Sequence, residues 1–182
     1  MTILLTIIST PLLAHEAHAT TESTEEQVSI QVGQPAPAFT RTDQHGQEVS
    51  LSEFKGKWVV LYFYPKADTS GCTMQACDFS DGIEKFTELS AVILGMSPDS
   101  VEDQKKFAEK HKLKITLLSD TDKQVMRIYQ AIKDQNRPVR STVIIDPQGN
   151  VAHHWPTVTP RGHADMIRKK LDELRAANEK PE

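Results

Sequence analysis

No apolar run in this chain approaches the roughly 20 residues that a bilayer-spanning helix needs. No Lys/Arg block occurs, and the formal net charge is −4, which argues against nucleic acid as a partner. Internal repeats and Gly-rich phosphate loops are also missing. Cysteine is scarce, with two residues in 182, too few for a disulfide framework. What is present is ordinary for a globular chain: 38% apolar and 25% charged residues, in a length that suits one domain with a real core.

The N-terminus reads differently from the rest. Ile3 to Ala14 is a short apolar run, and Ala17-His18-Ala19 follows as a small-x-small pattern. Together they predict a signal peptide over residues 1–19 and export to the bacterial periplasm. No Lys or Arg precedes the run, so a mis-set start codon upstream of a cytoplasmic protein is the alternative. Residues 20–27, TTESTEEQ, are polar and acidic and are expected to form a flexible leader. The folded domain is then expected over residues 28–182.

Apolar periodicity outlines that domain. WVVLYFY (58–64), AVILGMS (91–97) and ITLLS (115–119) read as buried strands. Cys72, Ala76, Phe79, Ile83 and Phe86 make one helical stripe. Ser100 with Asp103 resembles a capping box that opens a helix to about His111. Val125, Ile128, Tyr129 and Ile132 suggest another helix. STVIID (141–146) and VAHHW (151–155) flank a Pro-Gln-Gly-Asn turn, and a last helix carries Ala164, Ile167, Leu171 and Leu174. The alternation predicts an α/β, thioredoxin-like fold: a mainly parallel central sheet, helices on both faces, an extra β-α insertion between the halves, and an antiparallel edge added by the closing β-β-α. Functional residues then belong where strands run out into helices.

Both cysteines lie at such a place, in TSGCTMQAC. At a helix N-terminus, free amide N–H groups and the dipole favour an anion, so Cys72 is set up to react as the thiolate. Thr69, Ser70 and Gly71 suit capping and close backbone approach. Five residues along an ideal helix separate the Cα atoms of Cys72 and Cys77 by roughly 8–9 Å. Disulfide reach is about 7 Å, so the two sulfurs join only if the first turn unwinds.

The segment YPKADTSGCTMQACDF resembles the active-site segment of the peroxiredoxins, in the bacterioferritin comigratory protein or peroxiredoxin Q branch. Ser29 to Phe39, Arg140 to Asp146 and the WPTVTPRGHA tail are similar to the same branch, so the likeness spans about residues 28–175. Ser70, Gln75 and Ser80 stand where the branch often has Pro, Glu and Arg. The resemblance implies a peroxidase acting on hydrogen peroxide and organic hydroperoxides. Cys72 would be the attacking thiolate and Cys77 the resolving thiol. Thr69 would hold the peroxide or the thiolate, Arg140 would steady the developing charge, and Pro65 would shield the sulfur from water. The reductant would be thioredoxin or a thioredoxin-like protein, no metal or organic cofactor would be needed, and the chain would be a monomer. Two rivals share the scaffold: an exported copper-binding protein and a protein disulfide-exchange enzyme. Each fits less well, because four residues separate the cysteines. His153, His154 and His163 invite a metal reading, but neighbouring residues of a strand point to opposite faces, so His153 and His154 cannot chelate together.

Overall fold

The computed structural model describes residues 30–178. The expected signal peptide, leader and first domain residues lie outside them. The chain runs β1 (Thr40–Asp43), β2 (Glu48–Ser50), a 3-10 turn (Leu51–Phe54), β3 (Trp58–Phe63), α1 (Ser70–Asp81), α2 (Ile83–Glu88), β4 (Ala91–Ser97), α3 (Val101–His111), β5 (Thr116–Ser119) and α4 (Gln124–Ile128). Then come β6 (Ile132–Lys133), β7 (Arg137–Pro138), β8 (Ser141–Ile145), β9 (Val151–Trp155) and α5 (His163–Asn178).

Seven strands form one sheet in the order β2-β1-β5-β4-β3-β8-β9. Every residue of β3 is buried, which is why its sequence shows no polar alternation. Val60 and Tyr62 face a core shared with Phe79 of α1, Phe86 of α2, Phe107 of α3 and Ile167 of α5. Val59, Leu61 and Phe63 face a second core with Phe39, Val125, Met126 and Tyr129. The sheet is therefore covered on both sides, as expected.

Its parallel part is smaller than the sequence suggests. β3, β4 and β5 are mutually parallel. β1, β2, β8 and β9 join antiparallel, so the sheet is mixed around a parallel centre. The reason is connection length. The helical crossovers between β3, β4 and β5 bring the chain back to the same end, whereas β8 and β9 are joined by a tight turn that must reverse it.

Two helices also differ. The stripe from Cys72 to Phe86 is cut at Gly82, where α1 ends and α2 begins, although Phe86 still reaches the core. The fourth helix stops at Ile128, with Tyr129 as its cap. Gln130 takes a positive φ of 58° and turns the chain away, so Ile132 lies in a small hairpin of β6 and β7 instead. The Ser100 cap is present: its hydroxyl oxygen accepts from the Asp103 N–H at 3.1 Å.

Candidate active site

β3 ends against Pro65, which has no N–H to carry the ladder on. The loop 65–69 then crosses to α1 and is fixed from below. The Ala67 N–H donates to Asp99 Oδ2 at 2.7 Å, and Ser97 Oγ donates to the same oxygen at 2.6 Å. Asp68 takes the left-handed turn the loop needs, with φ 57°. Its carboxylate accepts from Lys110 at 2.6 Å and pairs with His111 at 2.8 Å. Those bonds, His111 first, hold the Asp68 carboxyl below the usual carboxylate range.

Thr69 is the extended residue before α1, and its carbonyl accepts from the Thr73 N–H at 2.8 Å. Its hydroxyl donates to the Lys66 carbonyl at 3.0 Å rather than capping the helix. Ser70, Gly71 and Cys72 follow as the first helical residues, so their N–H groups have no carbonyl one turn back within the helix. Cys72 is 2% exposed at this positive end. Arg140, immediately before β8, donates from Nη1 to Cys72 Sγ at 3.1 Å. β3 and β8 are adjacent strands, which is how residues 68 apart in sequence come to touch.

Gly71 makes room for this contact. A methyl group there would stand 3.0 Å from Arg140 Nη2 and 3.4 Å from Pro160 Cγ. The loop between β9 and α5 thus closes over the guanidinium, and the Val158 N–H donates to the Arg140 carbonyl at 3.0 Å.

Cys77 sits further along the same unbroken helix, half-buried and with a free thiol. Burial, then the carboxylates of Asp81 and Asp78, pushes that thiol up. The two sulfurs are electrically unlike: one has a cation 3.1 Å away, and the other faces acidic neighbours. Nucleophilic chemistry therefore suits Cys72, whose sulfur lies beside a positive group in a water-poor site, better than Cys77.

Comparisons with known proteins identify the family. The AhpC/TSA family matches residues 32–154. The chain belongs to the AhpC/TSA family. Among peroxiredoxins of this family it is 41% identical over 160 residues to peroxiredoxin Bcp of Bacillus subtilis, covering 84% of this chain and 100% of that one. It is 44% identical over 146 residues to the chloroplastic peroxiredoxin Q of Sedum lineare, covering 79% and 78%. A solved structure of Xanthomonas campestris peroxiredoxin Q superposes with a TM-score of 0.74 at 32% identity, over 81% of this chain and 98% of that one. The thioredoxin-like fold and the thiol peroxidase activity expected of the chain stand on these relatives.

The structure brings Cys72 and Arg140 into contact and sets Pro65 and Thr69 on the loop that leads to the sulfur. Cys77 is on the same helix, five residues further on. His153 and His154 register with Ile144 and Val143, on opposite faces of the sheet, and His153 lies against Trp155 at 4.1 Å between ring centroids. Among the described residues, no three metal-binding side chains converge. Two residues at the site were not foreseen. Gln75 Oε1 accepts from Arg140 Nη1 at 3.3 Å, and Gln75 Nε2 meets His163 Nδ1 at 2.7 Å. The departure from Glu at Gln75 was the one local hint. His163 lies 88 residues away; the matching WPTVTPRGHA tail and the metal reading both draw attention to it, but neither points to this contact.

Proposed function

We propose that this peroxiredoxin runs its cycle through Cys72 and Cys77 within one chain. The Cys72 thiolate attacks one peroxide oxygen and the O–O bond breaks. Cys72 becomes a sulfenic acid, and the departing oxygen takes a proton to leave as water or alcohol. The first turn of α1 then opens. Cys77 attacks the sulfenic sulfur, water leaves, and an intramolecular disulfide remains. A dithiol reductant of thioredoxin type returns two electrons and two protons and departs as its own disulfide.

Arg140 stabilises the negative charge on sulfur and on the oxygens as the O–O bond stretches. Thr69, with its hydroxyl proton committed to Lys66, keeps lone pairs to accept from a protonated peroxide oxygen. Pro65 is assigned the shielding of the sulfur, a role for which its lack of an N–H donor suits it. The observation that carries this reading is the Arg140 Nη1 to Cys72 Sγ contact at 3.1 Å, on a sulfur 2% exposed. The same contact weighs against a copper carrier, since a guanidinium sits where a soft cation would have to bind.

A disulfide between Cys72 and Cys77 of the same helix needs no second subunit, and on that ground we take a monomer as the working unit. The apolar run and Ala17-His18-Ala19 support export, with a mature chain that begins near Thr20. Intact-mass analysis of protein from a native-like host checks the second point, and a full-length chain confined to the cytosol would reject it. Stopped-flow oxidation of wild type, Cys72→Ser and Cys77→Ser tests the cycle. Cys72→Ser should be inert. Cys77→Ser should consume one equivalent of peroxide and stall. Full turnover by either variant with a thioredoxin-type reductant would reject the assigned roles.

A further inference from the structure

Arg140 does not touch Cys72 in isolation. Behind it runs a line of buried polar groups: Gln75 is 0% exposed, Thr142 0% and His163 1%. Buried groups of this kind must be paired, and pairing fixes the direction of every bond. A guanidinium has donors and no acceptor. Arg140 Nη1, 3.3 Å from Gln75, must therefore meet the amide oxygen. That turns the Gln75 NH2 towards His163 Nδ1 at 2.7 Å. Two donors cannot share that bond, so Nδ1 carries no proton and the ring hydrogen is on Nε2. Nε2 lies 3.2 Å from Thr142 Oγ1. The Thr142 hydroxyl donates to the Ser141 carbonyl at 2.8 Å, so its oxygen is free to accept from the ring. Donation therefore runs one way from Arg140 through Gln75, His163 and Thr142 to the backbone of β8, while Arg140 also donates to the sulfur.

We propose, on the reading that Cys72 is the attacking thiolate, that His163 is a positioning residue for catalysis: as the neutral Nε2–H tautomer it orients the Gln75 amide, and the amide orients Arg140 on the sulfur. A proton on Nδ1 would force the amide to turn over. Its NH2 would then face the guanidinium, donor against donor, and Arg140 would be pushed off Cys72. The surroundings hold the ring in the working state. Phe79 of α1 meets it edge-on, with ring centroids 5.3 Å apart and planes at 83°. From α1 it faces Gln75 and Phe79, from β8 Thr142, and the charged group acting on it is Arg140. Burial first, then the Arg140 charge, pushes the His163 pKa down to about 4, so the ring is uncharged throughout the neutral range.

The first test is long-range proton–nitrogen NMR of the histidine rings in the wild-type protein at pH 7, with His163 assigned by its absence in His163→Gln. The expected signature is protonated Nε2 and bare Nδ1. A proton on Nδ1, or a doubly protonated ring, would overturn the proposal without bearing on whether the protein is a peroxidase. Gln75→Glu should invert the tautomer, because a carboxylate accepts from both Arg140 and Nδ1–H; an unchanged tautomer would overturn it too. The kinetic arm uses a Cys77→Ser background and single-turnover oxidation by hydrogen peroxide. His163→Gln keeps an acceptor for the Gln75 amide and should react within about threefold of the parent. His163→Phe removes that acceptor and should slow oxidation about tenfold or more, the effect of one lost hydrogen bond of about 1.4 kcal/mol. The pH profile of Cys72 alkylation by iodoacetamide should move to higher pH in the Phe variant alone. Equal rates and equal profiles for the two variants would reduce His163 to packing. Should the Phe variant not fold, Gln75→Leu takes its place with the same expected loss.

Discussion

Oxidation should melt the start of α1 and little else. The two cysteines share one continuous helix, Ser70–Asp81. Ideal helix geometry puts their Cα atoms roughly 8–9 Å apart and about 140° around the axis, beyond the ~7 Å reach of a disulfide. To bond, the chain must release the hydrogen bonds that residues 73–76 donate to the carbonyls of 69–72, the first of which is the 2.8 Å bond from Thr73 to Thr69. At about 0.5–1.5 kcal/mol net each, these four bonds are worth roughly 2–6 kcal/mol. Withdrawal of Cys72 from Arg140 adds about 1.5–3 kcal/mol. Native-state amide exchange reads this sum directly. In the reduced protein, amides 73–76 should be protected. In the disulfide form they should exchange roughly three hundredfold faster or more, the low end of this sum at about 1.4 kcal/mol per factor of ten. Amides of β3 and β4, whose bonds are untouched, should not change. Mass analysis confirms that the sample has lost two hydrogens. A fully oxidised protein that keeps its protection at 73–76 would refute the geometry, and with it the pairing of Cys72 with Cys77.

Three further outcomes can be checked. Arg140→Met should slow peroxide attack on the order of 10²-fold or more, the usual loss for one preorganised donor to a developing anion, while circular dichroism and thermal unfolding stay close to wild type; unchanged second-order kinetics would make Arg140 structural. Gly71→Ala inserts a methyl 3.0 Å from Arg140 Nη2 and 3.4 Å from Pro160, so the guanidinium must shift and peroxide attack should fall about 10- to 100-fold with little loss of helix; a wild-type rate would show that the arginine adjusts at no cost. His163 gives a stability signature of its own. Its folded pKa of about 4 lies below the ordinary 6.5, so the unfolded chain takes the proton first as pH falls. The stability this group provides is complete above about pH 6.5 and is lost progressively down to about pH 4, about 3 kcal/mol in all. Urea unfolding of wild type and His163→Gln should therefore converge as the pH drops through that window. Parallel curves would contradict it, and the comparison cancels the lowered His153 and His154, which titrate in both proteins.

What was legible in the sequence was local. A continuous apolar β3, Pro65 at its end and Thr69 before Cys72 all signal themselves within a dozen residues, and each is where it was expected. Arg140 entered through resemblance alone, because nothing near it in sequence announces a partner 68 residues back. Gln75 and His163 escaped for the same reason, and because a polar residue on a helix face reads as solvent-facing until the neighbouring strand is in place. The fold errors share another cause: backbone angles. Apolar spacing carried the fourth helix to Ile132, but Gln130 adopts a positive φ and ends it. The antiparallel edge of β8 and β9 was legible in their turn, whereas the antiparallel pairing of β1 with β5 is a long-range contact that periodicity does not register.

Gly82 separates two jobs that one long helix would have joined. Because α1 has its own end there, the segment proposed to rearrange in each cycle is bounded on one side by the anchored loop 65–69 and on the other by this break. Beyond it, Phe86 stays locked in the core and holds α2 in place. Fraying therefore has a fixed length, and rewinding starts from a template already in register. A substitution that fused the two helices would make each turnover compete with the stability of the whole domain, whereas the break confines that competition to a few residues.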